Sequence, residues 1–196
     1  MVILDRISGT LDVRRKLKID MFTLVMAIVT KDVAKMNYCK IEQCSIAAGP
    51  GCAVSLFVSG CERRCKGCFQ PETWNFDYGK EFTEQTAQCI IELSKPSYIS
   101  HLAIFGGEPL HPRNRTDVLK LVKKFKEVYP EKTIWLWTGY LWEEVAEDLM
   151  GSGVDVVVDG RFVEELKDLS LKFRGSSNQR IIRVEESTIN NITLYE

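Results

Sequence analysis

The chain has 196 residues, of which 45% are hydrophobic and 27% are charged, and its net charge is -1. This composition excludes a disordered or fibrous protein, and the length suits a single domain with a substantial core. The near-zero charge gives no reason to expect a nucleic-acid partner. Since the chain has neither a signal peptide nor an apolar run of the roughly 18–20 residues that a membrane helix needs, we expect a cytoplasmic protein without a membrane segment.

Residues 1–35 differ in character from the rest of the chain. They contain seven Lys and Arg against four Asp and Glu, and they contain no motif that we can connect to chemistry. Met36 is a second candidate start. We therefore predict an atypical N-terminal extension over residues 1–35, which need not belong to the native domain, followed by a single domain over residues 36–196.

From Met36 onward, strand-like and helix-like segments alternate. Short apolar runs predict strands, and apolar residues at helical spacing predict amphipathic helices. The predicted strands cover residues 54–58, 101–105, 133–137 and 154–158, and the predicted helices cover residues 83–93, 114–129 and 141–150. This alternation is typical of a parallel α/β sheet, in which functional sites lie at the carboxyl ends of the strands.

Each predicted strand is followed by a stretch whose residues suit ligand binding or catalysis. These stretches are a cysteine-rich loop, Gly106-Gly107-Glu108, Thr138-Gly139-Tyr140 and Asp159-Gly160. Because the carboxyl ends of parallel strands meet at one edge of a sheet, we expect the four stretches to gather there.

The cysteine-rich loop contains Cys61, Cys65 and Cys68 in a C-x3-C-x2-C triplet directly after an apolar run. Cluster-binding cysteines occur in such compact runs. Three thiolates at this spacing can hold three corners of a cubane iron–sulfur cluster and leave the fourth iron without a protein ligand. That open iron is able to bind and activate a small molecule.

The alternative for the triplet is a structural zinc site completed by Cys44 or Cys52. Structural zinc sites usually contain two well-separated C-x2-C-like pairs, and the second pair is missing here. We interpret the four cysteines outside the triplet, the remaining two being Cys39 and Cys89, as small apolar residues.

Gly106, Gly107 and Glu108 form a second candidate site. The two glycines allow a ligand to approach the backbone closely, and the carboxylate can accept hydrogen bonds from an ammonium group. Alone, the motif is often just a turn. On the strand that follows a cysteine triplet, it becomes a specific signal.

Together, the triplet and the glycine turn resemble the radical S-adenosylmethionine superfamily. The resemblance implies one 4Fe-4S cluster per chain, held by Cys61, Cys65 and Cys68, with S-adenosylmethionine bound to the open iron. One electron from the cluster then cleaves the cofactor to methionine and a 5′-deoxyadenosyl radical, which abstracts a hydrogen atom. The chemistry is cofactor-derived, so no protein side chain need act as acid or base.

The same resemblance implies which residues contact S-adenosylmethionine. The methionine end is expected at Gly106, Gly107 and Glu108. The adenosine side is expected beside Cys68, flanked by Gly67 and Phe69. For Phe69, the alternative role is core packing.

From Met36 to about Ile182, the chain resembles the activating proteins of anaerobic ribonucleoside-triphosphate reductases. The matching stretches are MNY, GPG, LFVSGC, ETW, GGEPLHP, IWLWTGY, VDVVVDGRF and FRGSSNQR. The resemblance implies an α/β fold with a small, incomplete (β/α) barrel-like parallel sheet. It also implies that the protein places a glycyl radical on the large subunit of the class III reductase, with a flavodoxin-like protein as electron donor.

Three positions depart from that family's pattern. Ala48 and Ala53 stand where the family commonly has Asn and a basic residue, and Gln70 stands where it often has Asn. Two alternatives stay open. The first alternative is an activase of another glycyl-radical enzyme such as pyruvate formate-lyase, although the WTGY and FRGSSNQR stretches argue against it. The second alternative is a non-catalytic, zinc-stabilised binding module.

Other residues have weaker signals. Trp135 and Trp137 alternate with apolar neighbours, which favours packing over ligand contact. Thr138-Gly139-Tyr140 and Asp159-Gly160-Arg161 are each either a turn or part of the rim of the site, with Arg161 facing an anion in the second case.

Two further features are predicted to be structural or solvent-exposed. Arg174 and the polar run over residues 176–180 read as a solvated loop from composition, whereas the family resemblance favours contact with the reductase. His101 and His111 show no partner spacing, so we expect them to be structural or exposed.

Overall fold

The computed structural model describes residues 35–195. Of the predicted N-terminal extension, residues 1–35, all but Lys35 therefore lies outside the described residues. Within residues 35–195, no α-helix has the length and apolar character needed to cross a membrane.

Seven strands and three α-helices make up the described fold. The strands are β1 Asn37–Ser45, β2 Cys52–Val58, β3 Lys80–Glu81, β4 Ile99–Gly106, β5 Thr133–Trp137, β6 Val156–Asp159 and β7 Arg180–Arg183. The helices are α1 Glu84–Leu93, α2 Arg115–Val128 and α3 Trp142–Leu149, and short 3-10 turns cover Pro71–Trp74 and Glu164–Leu166. The four predicted strands and three predicted helices are thus confirmed, and their ends shift by at most two residues.

All seven strands belong to one sheet, in the order β3-β1-β2-β4-β5-β6-β7. The central strands β2, β4, β5 and β6 are parallel, as predicted. The outer strands β1, β3 and β7 are antiparallel to their neighbours and were not predicted. The fold is therefore mixed α/β, and β3 and β7 are the edge strands of its sheet.

The three helices pack against one face of the sheet. Successive strand residues point to opposite faces. Leu56, Ile104 and Leu136 share the main core with residues of all three helices, among them Phe125 and Leu149. Helix α2 buries an apolar stripe and turns its lysines outward, as its sequence periodicity predicts.

The opposite face of the central strands is lined with aromatic side chains. Phe57 and Phe105 are 4.3 Å apart between ring centroids, and Phe105 and Trp137 are 5.2 Å apart. Trp135 is 1% exposed, which confirms its predicted role in packing. Since the buried clusters of this face contain no helix residue in the described part of the chain, we call it the helix-free face.

Candidate functional site

The loops after β2, β4, β5 and β6 lie at one edge of the sheet and line a single cavity of about 690 Å³. The cavity extends from this edge over the helix-free face. Its walls contain the three triplet cysteines, and residues of each predicted stretch, among them Gly106, Glu108, Thr138 and Gly160. The predicted gathering of these stretches at the carboxyl edge is confirmed.

The cysteine loop is fixed by backbone hydrogen bonds to the turn Pro71–Trp74. Gly60 N donates to Thr73 O at 2.7 Å, and Cys61 N donates to Trp74 O at 3.1 Å. Within the loop, Cys68 N donates to Cys65 O at 3.2 Å. The loop is therefore a defined turn that presents three thiols to one cavity.

The three triplet cysteines are half-buried and not in disulfides. Burial raises the pKa of the Cys61 thiol, whereas hydrogen bonds from the backbone N–H groups of Arg63 and Arg64 lower it. Burial is the larger of the two effects, so the pKa of Cys61 is raised overall, while the backbone donors are aimed at a sulfur that would bind iron as a thiolate. The donor set and its surroundings thus fit a cysteine-ligated cluster.

Cys44 and Cys52 form a disulfide, with 5.4 Å between their Cα atoms. Their interpretation as small apolar residues is wrong, and neither is free to complete a zinc site with the triplet. Across residues 35–195, no three Cys, His, Asp or Glu side chains converge as a single metal ion requires. A cubane cluster contains four irons, so its ligands need not converge in that way.

Gly106 and Gly107 bring the glycine turn against the backbone of β2 and the cysteine loop. Gly107 N donates to Val58 O at 2.7 Å, and Glu108 N donates to Gly60 O at 2.8 Å. A Cβ on Gly106, whose φ is +114°, would lie 2.7 Å from Val58 O, and one on Gly107 would lie 2.7 Å from Gly60 O. Close backbone packing therefore requires both glycines, a reason that the motif alone did not reveal.

Glu108 is 2% exposed and accepts three hydrogen bonds from the protein. Its Oε1 accepts from Thr138 Oγ1 at 2.7 Å and from Leu110 N at 3.0 Å, and its Oε2 accepts from Gly139 N at 2.7 Å. Burial raises the pKa of this carboxyl, and the hydrogen bonds oppose that effect. A carboxylate offers about four acceptor sites, so one site is left for a further donor.

Gly67 and Phe69 lie where the cysteine loop meets residues 162–167. A Cβ on Gly67, whose φ is +71°, would lie 2.6 Å from Glu164 Oε1. Phe69 is 66% exposed, and its ring centroid is 5.7 Å from that of Phe162. Phe69 lines the cavity, so the core-packing interpretation is wrong for it.

The far wall of the cavity includes residues to which the sequence analysis assigned no role in the site. Phe173 contacts Trp135 with 5.5 Å between ring centroids, and its carbonyl accepts a hydrogen bond from Trp137 Nε1 at 2.8 Å. Its neighbour Leu171 also lines the cavity. No periodic pattern marks these positions, because they lie in an irregular segment.

Ser176 and Gln179 are buried, so the prediction of a solvated loop is wrong for these two residues. Gln179 Oε1 accepts from Gly175 N at 2.8 Å and from Ser176 N at 3.1 Å, and its Nε2 donates to Gly160 O at 3.0 Å. Arg174 lines the cavity and donates to the Gln179 carbonyl at 2.7 Å.

Asp159 and Arg161 have structural partners. Buried Asp159 binds the Arg180 guanidinium at 3.0 and 2.5 Å, and its Oδ2 accepts from Trp142 N at the start of α3 at 2.7 Å. Arg161 Nη2 donates to the Arg63 carbonyl at 2.9 Å. This contact connects the loop after β6 to the cysteine loop.

The two histidines and the three residues that depart from the family pattern lie in the core, at the surface or in the cavity wall. Buried His101 bonds through Nε2 with Ala48 O at 2.7 Å, which confirms a structural role, and His111 Nε2 lies 3.5 Å from a Glu62 carboxylate oxygen. Ala48 and Gln70 line the cavity, whereas Ala53 is in the core of the helix-free face.

Known proteins match most of the chain. A family model described as a 4Fe-4S single cluster domain matches residues 47–182. The chain is 44% identical over 146 residues to the anaerobic ribonucleoside-triphosphate reductase-activating protein of Enterobacteria phage T4. This match covers 74% of this chain and 93% of the phage protein.

Two bacterial proteins of the same name are similar. The Vibrio cholerae protein is 41% identical over 152 residues, covering 76% of this chain and 98% of its own length. The Escherichia coli K12 protein is 43% identical over 148 residues, covering 74% and 96%. The chain therefore belongs to the family of anaerobic ribonucleoside-triphosphate reductase-activating proteins.

Proposed function

We propose that this chain activates an anaerobic ribonucleoside-triphosphate reductase by generating a glycyl radical on its large subunit. The supporting observation is that the triplet Cys61, Cys65 and Cys68 lines one cavity with the glycine turn, in a chain of this family. The relatives are named for activating that reductase, and the matching family model is that of a single 4Fe-4S cluster.

In this proposal, Cys61, Cys65 and Cys68 hold the cluster and leave one iron open. With S-adenosylmethionine bound, the cluster supplies one-electron cleavage of the sulfonium and a 5′-deoxyadenosyl radical that abstracts hydrogen from the target glycine. The protein residues position the reactants. The remaining acceptor site of Glu108 receives the ammonium of the methionine end, since a charged acceptor bonds strongly to a charged donor.

Other residues of the site take supporting roles. Gly106 and Gly107 hold the turn against β2, so that Glu108 stays beside the cysteines. Gly67 and Phe69 border the adenosine, which an aromatic ring can contact through stacking. The apolar far wall, with Trp137 and Phe173, excludes water from the radical.

The helix-free face corresponds, in this proposal, to the inner face of an incomplete (β/α) barrel of the radical S-adenosylmethionine type. Two observations support it. Within residues 35–195, the helices cover the outer face of the four parallel strands alone, and the cavity lies over the other face. The electron comes from a low-potential, flavodoxin-like donor in the cytoplasm, because sulfonium reduction needs a potential near the negative end of the range of protein clusters.

The test is activation of the purified partner. The full chain, reconstituted with iron and sulfide, is mixed anaerobically with the reductase, S-adenosylmethionine and a reductant, and glycyl radical is measured by electron paramagnetic resonance. We expect the radical with the wild type and none with Cys65→Ala. Cys89→Ala is the matched control, because Cys89 is exposed on α1, and it should retain the signal.

Two other results would replace the proposal. A radical on pyruvate formate-lyase, but none on the reductase, would identify an activase for another enzyme. Stoichiometric zinc without acid-labile sulfide would indicate the zinc-stabilised module. The Cys44→Ser/Cys52→Ser double variant further distinguishes an iron–sulfur cluster from a zinc site. This variant should retain full iron and sulfide if only the triplet holds the cluster.

A further inference from the structure

Arg63 is a cavity residue to which the sequence motifs assign no role. It lies between Cys61 and Cys65 and lines the cavity with them. Its backbone is anchored, because its carbonyl accepts the hydrogen bond from Arg161. Its guanidinium carbon lies 4.1 Å from the ring centroid of Tyr140. The side chain is thus held against the turn after β5.

The hydrogen-bond donors of this guanidinium remain available. Stacking on Tyr140 involves the face of the guanidinium, whereas its N–H donors lie in the plane. The carboxylate of Glu144 is 3.9 Å away, beyond hydrogen-bond distance, and Glu144 Oε2 already accepts from Leu141 N at 2.7 Å. Among residues 35–195, Arg63 donates no side-chain hydrogen bond to a protein acceptor.

Arg63 and Glu108 lie beside the same backbone turn. A Cβ on Gly139 would be 3.2 Å from Glu108 Oε2 and 3.3 Å from Arg63 Cδ. The Arg63 side chain and the Glu108 carboxylate therefore flank one turn, and both residues line the cavity with the triplet cysteines. An α-amino-acid group, which contains a carboxylate and an ammonium on one carbon, is the ligand chemistry that complements such a pair.

We propose that Arg63 binds the carboxylate of the methionine end of S-adenosylmethionine and so selects ligands with an intact amino-acid group. This inference rests on the proposed function and deepens it. Arg161 and Arg174 are less suited to the role. Arg161 does not line the cavity, and Arg174 already donates to the Gln179 carbonyl in the far wall.

The test compares two ligands that differ only in that carboxylate. Dissociation constants of S-adenosylmethionine and of decarboxylated S-adenosylmethionine are measured by anaerobic equilibrium dialysis on the cluster-loaded full chain. For Arg63→Ala we expect S-adenosylmethionine to bind at least about tenfold more weakly, since a hydrogen bond between charged groups is worth that much. Binding of the decarboxylated ligand should change by less than about twofold.

Two further variants complete the design. Arg113→Ala removes an equal charge from an exposed residue outside the cavity lining and should change neither constant. Arg63→Lys keeps the charge but loses the planar fork, so its loss should lie between those of wild type and Arg63→Ala. Iron and sulfide per chain are measured in every variant. If Arg63→Ala does not load, the comparison of Arg63→Lys with wild type tests the inference.

The outcomes separate this inference from the proposed function. Equal weakening of both ligands would indicate that Arg63 only supports the loop, and unchanged binding of both would indicate no role. Either result overturns the inference while the proposed function stands. Failure of the loaded wild type to bind S-adenosylmethionine would refute both.

Discussion

The hydroxyl of Thr138 donates a hydrogen bond of 2.7 Å to the carboxylate of Glu108, which is buried between β4 and β5. Thr138→Val removes this donor and keeps the shape of the side chain. Because a buried charged acceptor then loses a partner, we expect the free energy of unfolding to fall by about 1–3 kcal/mol in urea titrations. Thr138→Ser keeps the hydroxyl and is the control. Equal stability of the Val and Ser variants would contradict this role.

The buried Glu108 also predicts a pH dependence of stability. Burial raises the pKa of Glu108 in the folded chain above its ordinary value of about 4.3. A raised pKa means that the protonated carboxyl contributes stability fully below the unfolded pKa, and that this contribution is lost as the pH rises through the folded pKa.

Glu108→Gln cannot titrate, so it isolates this effect. The stability of the wild type relative to the variant should fall as the pH rises from the ordinary pKa of Glu through the raised one, and should then level off. Urea unfolding of both proteins across that window measures the difference. A constant difference would show that the three hydrogen bonds fully offset burial.

Gly107 is predicted to be irreplaceable for steric reasons. Gly107→Ala places a Cβ 2.7 Å from Gly60 O and 3.0 Å from the carbon and nitrogen of the same residue, all of them backbone atoms that cannot rotate away. We expect a loss of about 3 kcal/mol and reduced iron uptake. Gly151→Ala is the control, because within residues 35–195 no atom beyond its chain neighbours lies within 4 Å of its Cβ position. Its φ of +73° should cost only about 1 kcal/mol.

Arg180 is predicted to stabilise the carboxyl edge through Asp159. Asp159 is fully buried and binds the start of α3, and Arg180 bridges it to Glu143, whose carboxylate oxygens lie 3.1 and 2.9 Å from the guanidinium. Arg180→Ala leaves a buried charge partly unpaired, which should cost about 3 kcal/mol by thermal or urea unfolding. Arg183→Ala, which removes a more exposed ion pair with Glu186, should cost less than about 1 kcal/mol. Similar losses in both variants would refute the special role of Arg180.

The central strands were predictable because burial on both faces leaves a continuous apolar run. Strand β2 is buried along nearly its whole length, and its sequence, CAVSLFV, shows this directly. Strand β1 has no fully buried residue, and β7 is a short edge strand that begins and ends with arginine. Although β1 lies between β3 and β2, these outer strands bury few side chains, so their sequences give little apolar signal.

The candidate site also contains residues that the sequence predicted and residues that it did not. Local spacing indicated the cysteine triplet and the glycine turn, because each is one continuous segment with its own chemistry. Phe173 and Gln179 owe their places in the cavity wall to contacts with distant segments, which no local pattern encodes. The disulfide between Cys44 and Cys52 was missed because pairing depends on how β1 meets β2.

The hydrogen bonds from Gly107 N to Val58 O and from Glu108 N to Gly60 O have a consequence for affinity. They set the spacing between the glycine turn and the start of the cysteine loop before any ligand arrives. A ligand that bridges the two segments therefore binds to a preorganised site. Little of its binding free energy is spent on ordering the chain, and more remains for holding the reactants in register.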